Sequence, residues 1–216
     1  MRKFGRFGRG AWIGLWVLVA LGLSACAGQR GDSLPPSTFY GSQTLAPEDY
    51  NYLIGPGDSV QIFVWRNPEV SQGVTVRPDG KITTPLVEDL QASGKTPTQL
   101  ARDLERALET YIRQPIVTVI VAGGVGPYSE QIRVVGQAAS PQAIAYQERM
   151  TLLDVMIVVG GLTEFASGNR TKLVRVAHGR QQEYQVRVDD LLNKGDIDAN
   201  VDMLPGDILI IPESWF

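Results

Sequence analysis

Apolar residues change their spacing several times along the chain, and each change marks an element. Val60, Ile62 and Val64 alternate with Gln61, Phe63 and Trp65, which predicts a well-buried strand with Trp65 read as core. Gly55-Pro56-Gly57-Asp58 before it is a strong turn signal. Val74 and Val76 alternate up to Pro78-Asp79-Gly80, and Lys81-Ile82-Thr83-Thr84 follows. That order predicts a hairpin around the Pro-Asp-Gly turn. Thr96 then fits an N-cap, Pro97 the first helical position, and Gln99 the far end of a Thr-x-x-Gln capping box. Leu100, Leu104, Ala107, Leu108 and Tyr111 recur on one helical face, while Arg102, Asp103, Glu105, Arg106 and Glu109 take the other. Residues 116–121 form a β-branched run that predicts another strand.

Gly123-Gly124-Val125-Gly126-Pro127 divides the folded part in two. A phosphate-binding glycine loop needs a helix starting directly behind it, and here Pro127 and a strand pattern follow instead. The second half opens with a strand at Ile132-Arg133-Val134-Val135-Gly136, a turn at Ala139-Ser140-Pro141, and Ala143-Ile144-Ala145-Tyr146. Thr151-x-x-Asp154 caps a short helix carrying Leu152, Leu153, Met156, Ile157 and Val159, and Gly160-Gly161 stops it. Strands are predicted at 172–177 and 183–188, a helical turn at 189–192, and a last strand at 208–212. Ile54-Gly55-Pro56-Gly57-Asp58 and Met203-Leu204-Pro205-Gly206-Asp207 echo each other, one Pro-Gly-Asp turn in each half.

The first 49 residues follow another pattern. Arg2, Lys3, Arg6 and Arg9 precede an apolar run from Ala11 to Leu23, and small residues then lead into Cys26. A basic start, a short apolar stretch and a small-residue exit define a secretory signal. The run is too short to span a bilayer, which takes roughly 20 residues. Residues 27–49 are rich in Gly, Pro, Ser, Thr and Gln without apolar periodicity, and read as a tether.

Charge and composition narrow the chemistry. Without residues 1–25 the chain keeps 16 of its 20 Lys+Arg against 23 Asp+Glu, a charge of about −7. That balance argues against nucleic acid or anionic lipid as the electrostatic partner. Cys26 is the only cysteine, so no intramolecular disulfide forms. The single histidine, His178, falls beside Gly179 in an expected hairpin turn and reads as exposed rather than catalytic. No catalytic, cofactor-binding or metal-binding residue is assigned, and no enzyme activity is expected. Glu88/Asp89 and Asp189/Asp190 read as solvated or capping charges, since neighbouring carboxylates on a strand point to opposite faces. Arg133, Arg175 and Arg187 lie on expected strands and read as surface salt-bridge partners before contacts to a ligand or a neighbouring subunit. Trp215-Phe216 is a candidate docking end for a neighbouring subunit or partner.

These residues carry a family likeness. Residues 52–58 with the strand behind them, then Val76-Arg77-Pro78-Asp79-Gly80-Lys81-Ile82, resemble the opening of the polysaccharide export domain. Ile132-Arg133-Val134-Val135-Gly136, the helix ending in Gly160-Gly161, and Pro205-Gly206-Asp207 resemble one SLBB domain, a soluble ligand-binding β-grasp unit. Leu23-Ser24-Ala25-Cys26 resembles the lipobox of bacterial lipoproteins. The alternatives for that cysteine are a chance thiol behind an ordinary signal peptide and a buried structural thiol. Together the chain resembles a short, Wza/GumB-like outer-membrane polysaccharide export lipoprotein.

The resemblance implies an α+β fold. It divides the chain into a lipoprotein signal peptide (1–25), a flexible tether (26–49), a small β-rich polysaccharide export domain (50–124) and a β-grasp-like SLBB domain (129–214). It implies cleavage between Ala25 and Cys26 and lipidation of Cys26. Gly55, Pro56, Gly57, Asp58, Pro205, Gly206 and Asp207 are then structural turns. Ala27 in place of an aspartate after the cysteine implies sorting to the outer membrane, facing the periplasm. The implied function is export of exopolysaccharide or capsular polysaccharide by a homo-oligomeric ring. Its implied partners are an inner-membrane co-polymerase and the polysaccharide itself. Long relatives end in an amphipathic pore helix, whereas five residues follow Ile211 here. The exit is therefore expected to be a separate outer-membrane β-barrel or another, unidentified protein. The competing reading is a periplasmic solute-binding lipoprotein that uses its β-grasp domain.

Overall fold

The computed structural model describes residues 41–214 apart from 43, 178 and 179. The architecture is α+β, with two hydrophobic cores in succession along the chain. In the first, β1 (Ser59–Val64) lies between β2 (Gln72–Thr75) and β5 (Val117–Gly123), antiparallel to both. Strands β3 (Lys81–Thr84) and β4 (Val87–Gln91) form a separate two-stranded ribbon. Helix α1 (Pro97–Leu108) covers one face of the three-stranded sheet. Val60, Ile62, Val64, Val117 and Val119 meet Leu100, Leu104 and Leu108 there.

Helix α1 starts where its sequence says it should. Thr96 Oγ1 accepts from the Gln99 N–H at 3.2 Å, and Gln99 Oε1 accepts from the Thr96 N–H at 2.9 Å. Two of the orphan donors of the first turn are thus satisfied reciprocally. The helix ends at Leu108, so Tyr111 lies beyond it and is exposed rather than on the buried stripe.

Two expectations about this half are corrected. The strands flanking Pro78-Asp79-Gly80 do not pair as a hairpin. β2 pairs with β1, and β3 pairs with β4. The Pro-Asp-Gly turn closes through Gly80 N–H to the Arg77 carbonyl, and the Gly80 carbonyl then accepts from Ala92 and Ser93. Trp65 is also not core. It and Phe63 are about half exposed on the face of β1 opposite α1.

In the second half, β10 (Ile208–Ile211) runs up the middle of a five-stranded sheet of order β7-β6-β10-β8-β9. Strands β6 (Gln131–Gly136) and β10 are parallel; β7 (Ala143–Ala145), β8 (Thr171–Ala177) and β9 (Arg180–Val186) are antiparallel to their neighbours. Helices α2 (Leu152–Val158) and α3 (Val188–Asn193) contribute to the same core as the sheet's inner residues Ile132, Val134, Leu173, Leu209 and Ile211. α2 has its own capping box, with the Asp154 carboxylate accepting from the Thr151 N–H at 2.9 Å. Gly160 and Gly161, at φ 77° and 85°, end it, and the Gly161 N–H reaches back to the Met156 carbonyl at 2.8 Å.

The described end of the expected tether is attached. A 3-10 turn spans Pro47–Asp49, Tyr50 packs on the second core, and Ser42 bonds to Glu130. Cys26, Ala25, the signal segment, His178, Trp215 and Phe216 lie outside the described residues.

Candidate functional site

Each Pro-Gly-Asp turn is closed by its own aspartate. Asp58 and Asp207 are fully buried. Asp58 Oδ2 accepts from the Gly55 N–H at 2.8 Å, and Asp207 Oδ2 accepts from the Leu204 N–H at 2.7 Å, each three residues back. Each aspartate's own N–H returns to the carbonyl of that same residue at 3.2 Å. Gly57 and Gly206, at φ 90° and 85°, take the left-handed position that follows proline in a type II turn.

The remaining oxygens set the two turns apart. Asp58 Oδ1 accepts from the Val125 and Gly126 N–H groups at 3.1 and 3.3 Å, in the segment between the two sheets, and Tyr52 donates its hydroxyl to Oδ2. Two glycines permit this approach. A Cβ on Gly55 would sit 2.2 Å from the Gly126 carbonyl carbon, and one on Gly124 would sit 2.0 Å from Asp58 Oδ1. Burial, then the hydrogen bond to Asp58, pushes the Tyr52 phenol up. Asp207 instead holds Arg175 of β8 with both oxygens, at 2.8 and 2.7 Å. That bidentate pair keeps Arg175 firmly protonated.

A third buried carboxylate lies in the same segment. Glu130 accepts from the Ser42 hydroxyl at 2.7 Å and the Ser129 hydroxyl at 3.4 Å, and no cation among the described residues forms a salt bridge with it. Burial pushes its pKa up. Its charge and burial, burial first, push Tyr50 up to about 12. Gln131 adds a bond from Nε2 to the Gly126 carbonyl at 3.0 Å. Sequence reasoning missed Glu130 and Tyr52, because no local pattern marks a single buried acid or its phenol partner.

The other candidates disperse. Asp89 pairs with Arg77, and Asp189 accepts from the Asn169 N–H. Asp190 in α3 is bonded by Lys194, Asn169 and Arg187, which hold its carboxyl down at about 2. Arg187 bridges Asp190 and Asp196. Arg133 has a buried Nε without a partner among the described residues. The described residues contain no group of three or more His, Cys, Asp or Glu placed to hold a metal ion, and no helix long and apolar enough to cross a membrane. The carboxylates at the junction face backbone N–H groups, hydroxyls and one arginine. Such a set fixes chain segments against one another and offers no nucleophile–base pair.

Two family models match the chain in order. Residues 46–122 match the polysaccharide biosynthesis/export protein family, and residues 130–211 match the SLBB domain. The chain thus contains a polysaccharide biosynthesis/export domain. It carries one SLBB domain behind its export domain. It is 24% identical to the EPS I polysaccharide export outer membrane protein EpsA of Ralstonia nicotianae, over 75% of this chain and 47% of that protein. Its identity to EpsA of Ralstonia solanacearum is 25%, over 73% and 47%. With the exopolysaccharide production protein ExoF of Rhizobium meliloti it shares 27% identity, over 59% and 32%. The chain thus spans less than half the length of each of these relatives.

Proposed function

We propose that this protein exports exopolysaccharide across the periplasm and outer membrane as a component of a lipid-anchored ring. The observation that carries this is the pairing, in order, of an export domain with a single SLBB domain, together with sequence similarity to relatives named for polysaccharide export and exopolysaccharide production. In this reading Ala25–Cys26 is the cleavage site and acylated Cys26 holds the chain to the outer membrane, facing the periplasm. Residues 1–25 direct export and 26–49 lead from the lipid to the folded body. Residues 50–124 and 129–214 are the two domains. More than one acyl chain is needed for stable anchoring, as a bacterial lipoprotein supplies.

The role is passive guidance of polymer rather than catalysis. The Pro-Gly-Asp turns serve it structurally. Asp58 pins the segment between the domains, and Asp207 ties the last strand's turn to β8. The ring receives polymer from an inner-membrane co-polymerase and passes it to a separate outer-membrane β-barrel. Replacing Cys26 with Ser tests the anchor. The variant should lose palmitate labelling, leave the outer-membrane fraction and lower secreted polysaccharide. Unchanged labelling and fractionation would contradict the anchor.

A further inference from the structure

Two elements carry the sequence signature of burial on all sides, yet the fold buries only part of each. Helix α2 with its following residue reads Leu-Leu-Asp-Val-Met-Ile-Val-Val, and its one polar residue, Asp154, is used up in the capping box. A helix that is apolar all round belongs in an interior. Leu152, Val155, Met156 and Val159 meet that demand, whereas Ile157 is 68% exposed and Val158 49%.

The second element is the three-stranded sheet. Residues 116–121 and 60–65 form near-continuous apolar runs, the pattern of strands covered on both faces. Helix α1 covers one face. The other presents Phe63 and Trp65 from β1, and Ile120 from β5 with Ile116 just before it, each 45–59% exposed. They are neighbours: Phe63 lies opposite Thr118, Gln61 opposite Ile120, and the Trp65 N–H bonds to the Ile116 carbonyl at 2.9 Å. The Phe63 and Trp65 rings meet edge to face at 6.4 Å. Ser59, Gln61, Thr118 and Ala122, with Gly73 and Thr75 of β2, complete the face, so its strands carry no charge there.

We propose that α2 of one copy packs on this outer sheet face of the next. The inference rests on the oligomer proposed above and names its surfaces. Helix on sheet is a standard layer contact, and a second helix would complete a three-layer arrangement around β2-β1-β5. Among the described residues the second sheet also exposes Val135 and Ile210, but beside Arg133 and Lys172, so the uncharged face of β2-β1-β5 is the better match for the apolar face of α2. Charge depletion with aromatic enrichment marks an interface core. Ile116, Ile120, Ile157 and Val158 give sugar hydroxyls nothing to bond, which favours protein over polysaccharide as the occupant. Different surfaces meet, so the contact is heterologous and closes into a ring or grows into a filament.

Cysteine cross-linking in outer membranes tests this, since the full chain has no cysteine after Cys26. The double variant Ile120→Cys/Ile157→Cys should give a ladder of disulfide-linked multimers on non-reducing gels. Each single variant alone should stay monomeric there, and the two singles expressed together should stop at a dimer. A dimer from Ile120→Cys alone means sheet meets sheet and overturns the proposal. Absence of a ladder, with thermal unfolding near wild type, overturns it too. In parallel, Ile120→Lys and Ile157→Lys should each reduce the detergent-extracted oligomer to monomer mass. Retention of wild-type mass by both overturns the surfaces and leaves the oligomer standing. A wild-type monomer overturns both.

Discussion

Asp58 shows how much one buried carboxylate can hold. It takes four donors, from Tyr52, Gly55, Val125 and Gly126, that burial would otherwise leave unsatisfied. Asp58→Ala should therefore cost about 3 kcal/mol in chemical denaturation, as expected when a buried charged acceptor is removed from its donors. Gly55→Ala should cost about 1–3 kcal/mol, since the new Cβ collides with backbone rather than with a flexible side chain. Glu130 acts in the opposite sense. Its folded pKa is raised, so the folded state holds the proton more tightly than the unfolded chain. The stability this contributes is complete below the ordinary carboxylate value and is lost as pH rises through the folded one. Glu130→Gln keeps an acceptor for Ser42, so the variant should be at least as stable as wild type at neutral pH. Its stability should vary less with pH just above the ordinary carboxylate range, as urea unfolding at a series of pH values would show. The echo of the two Pro-Gly-Asp turns was legible in the sequence. The partners of their aspartates were not, because Asp58 reaches 67 residues along the chain to Val125 and no local pattern encodes that.

At the scale of elements, local chemistry was read well and pairing less well. Both capping boxes, the α1 stripe through Leu108 and the Gly160-Gly161 stop are local signals, and the structure shows them in place. Strand β4 escaped notice because Glu88 and Asp89 break its apolar alternation; Leu86 just before it and Asp89 within it adopt positive φ. The hairpin expectation failed for the same reason: β3's true partner was invisible. The place of β10 between β6 and β8 depends on contacts across more than 30 residues. Trp65 was misplaced because alternation says which residues share a face but not whether anything covers it. Thr96→Ala should cost about 1 kcal/mol by removing the cap, and Leu104→Ala about 3 kcal/mol by opening a cavity between α1 and the sheet. Thermal or urea unfolding of the two variants checks both the values and their order.

At the scale of the molecule, export domain and SLBB domain are held together by side chains in the segment that joins them. Asp58 grips residues 125 and 126, Gln131 returns to Gly126, and Glu130 takes the Ser42 hydroxyl from the chain leading in. A tether arriving from a lipid anchor would thus meet the second domain before entering the first. The proposed role is to carry exopolysaccharide out of the cell. Deleting the gene and measuring secreted polysaccharide tests it most directly. Secreted polymer should fall sharply in the deletion strain and be restored by the wild-type gene but not by the Cys26→Ser form. Normal secretion from the deletion strain would contradict it.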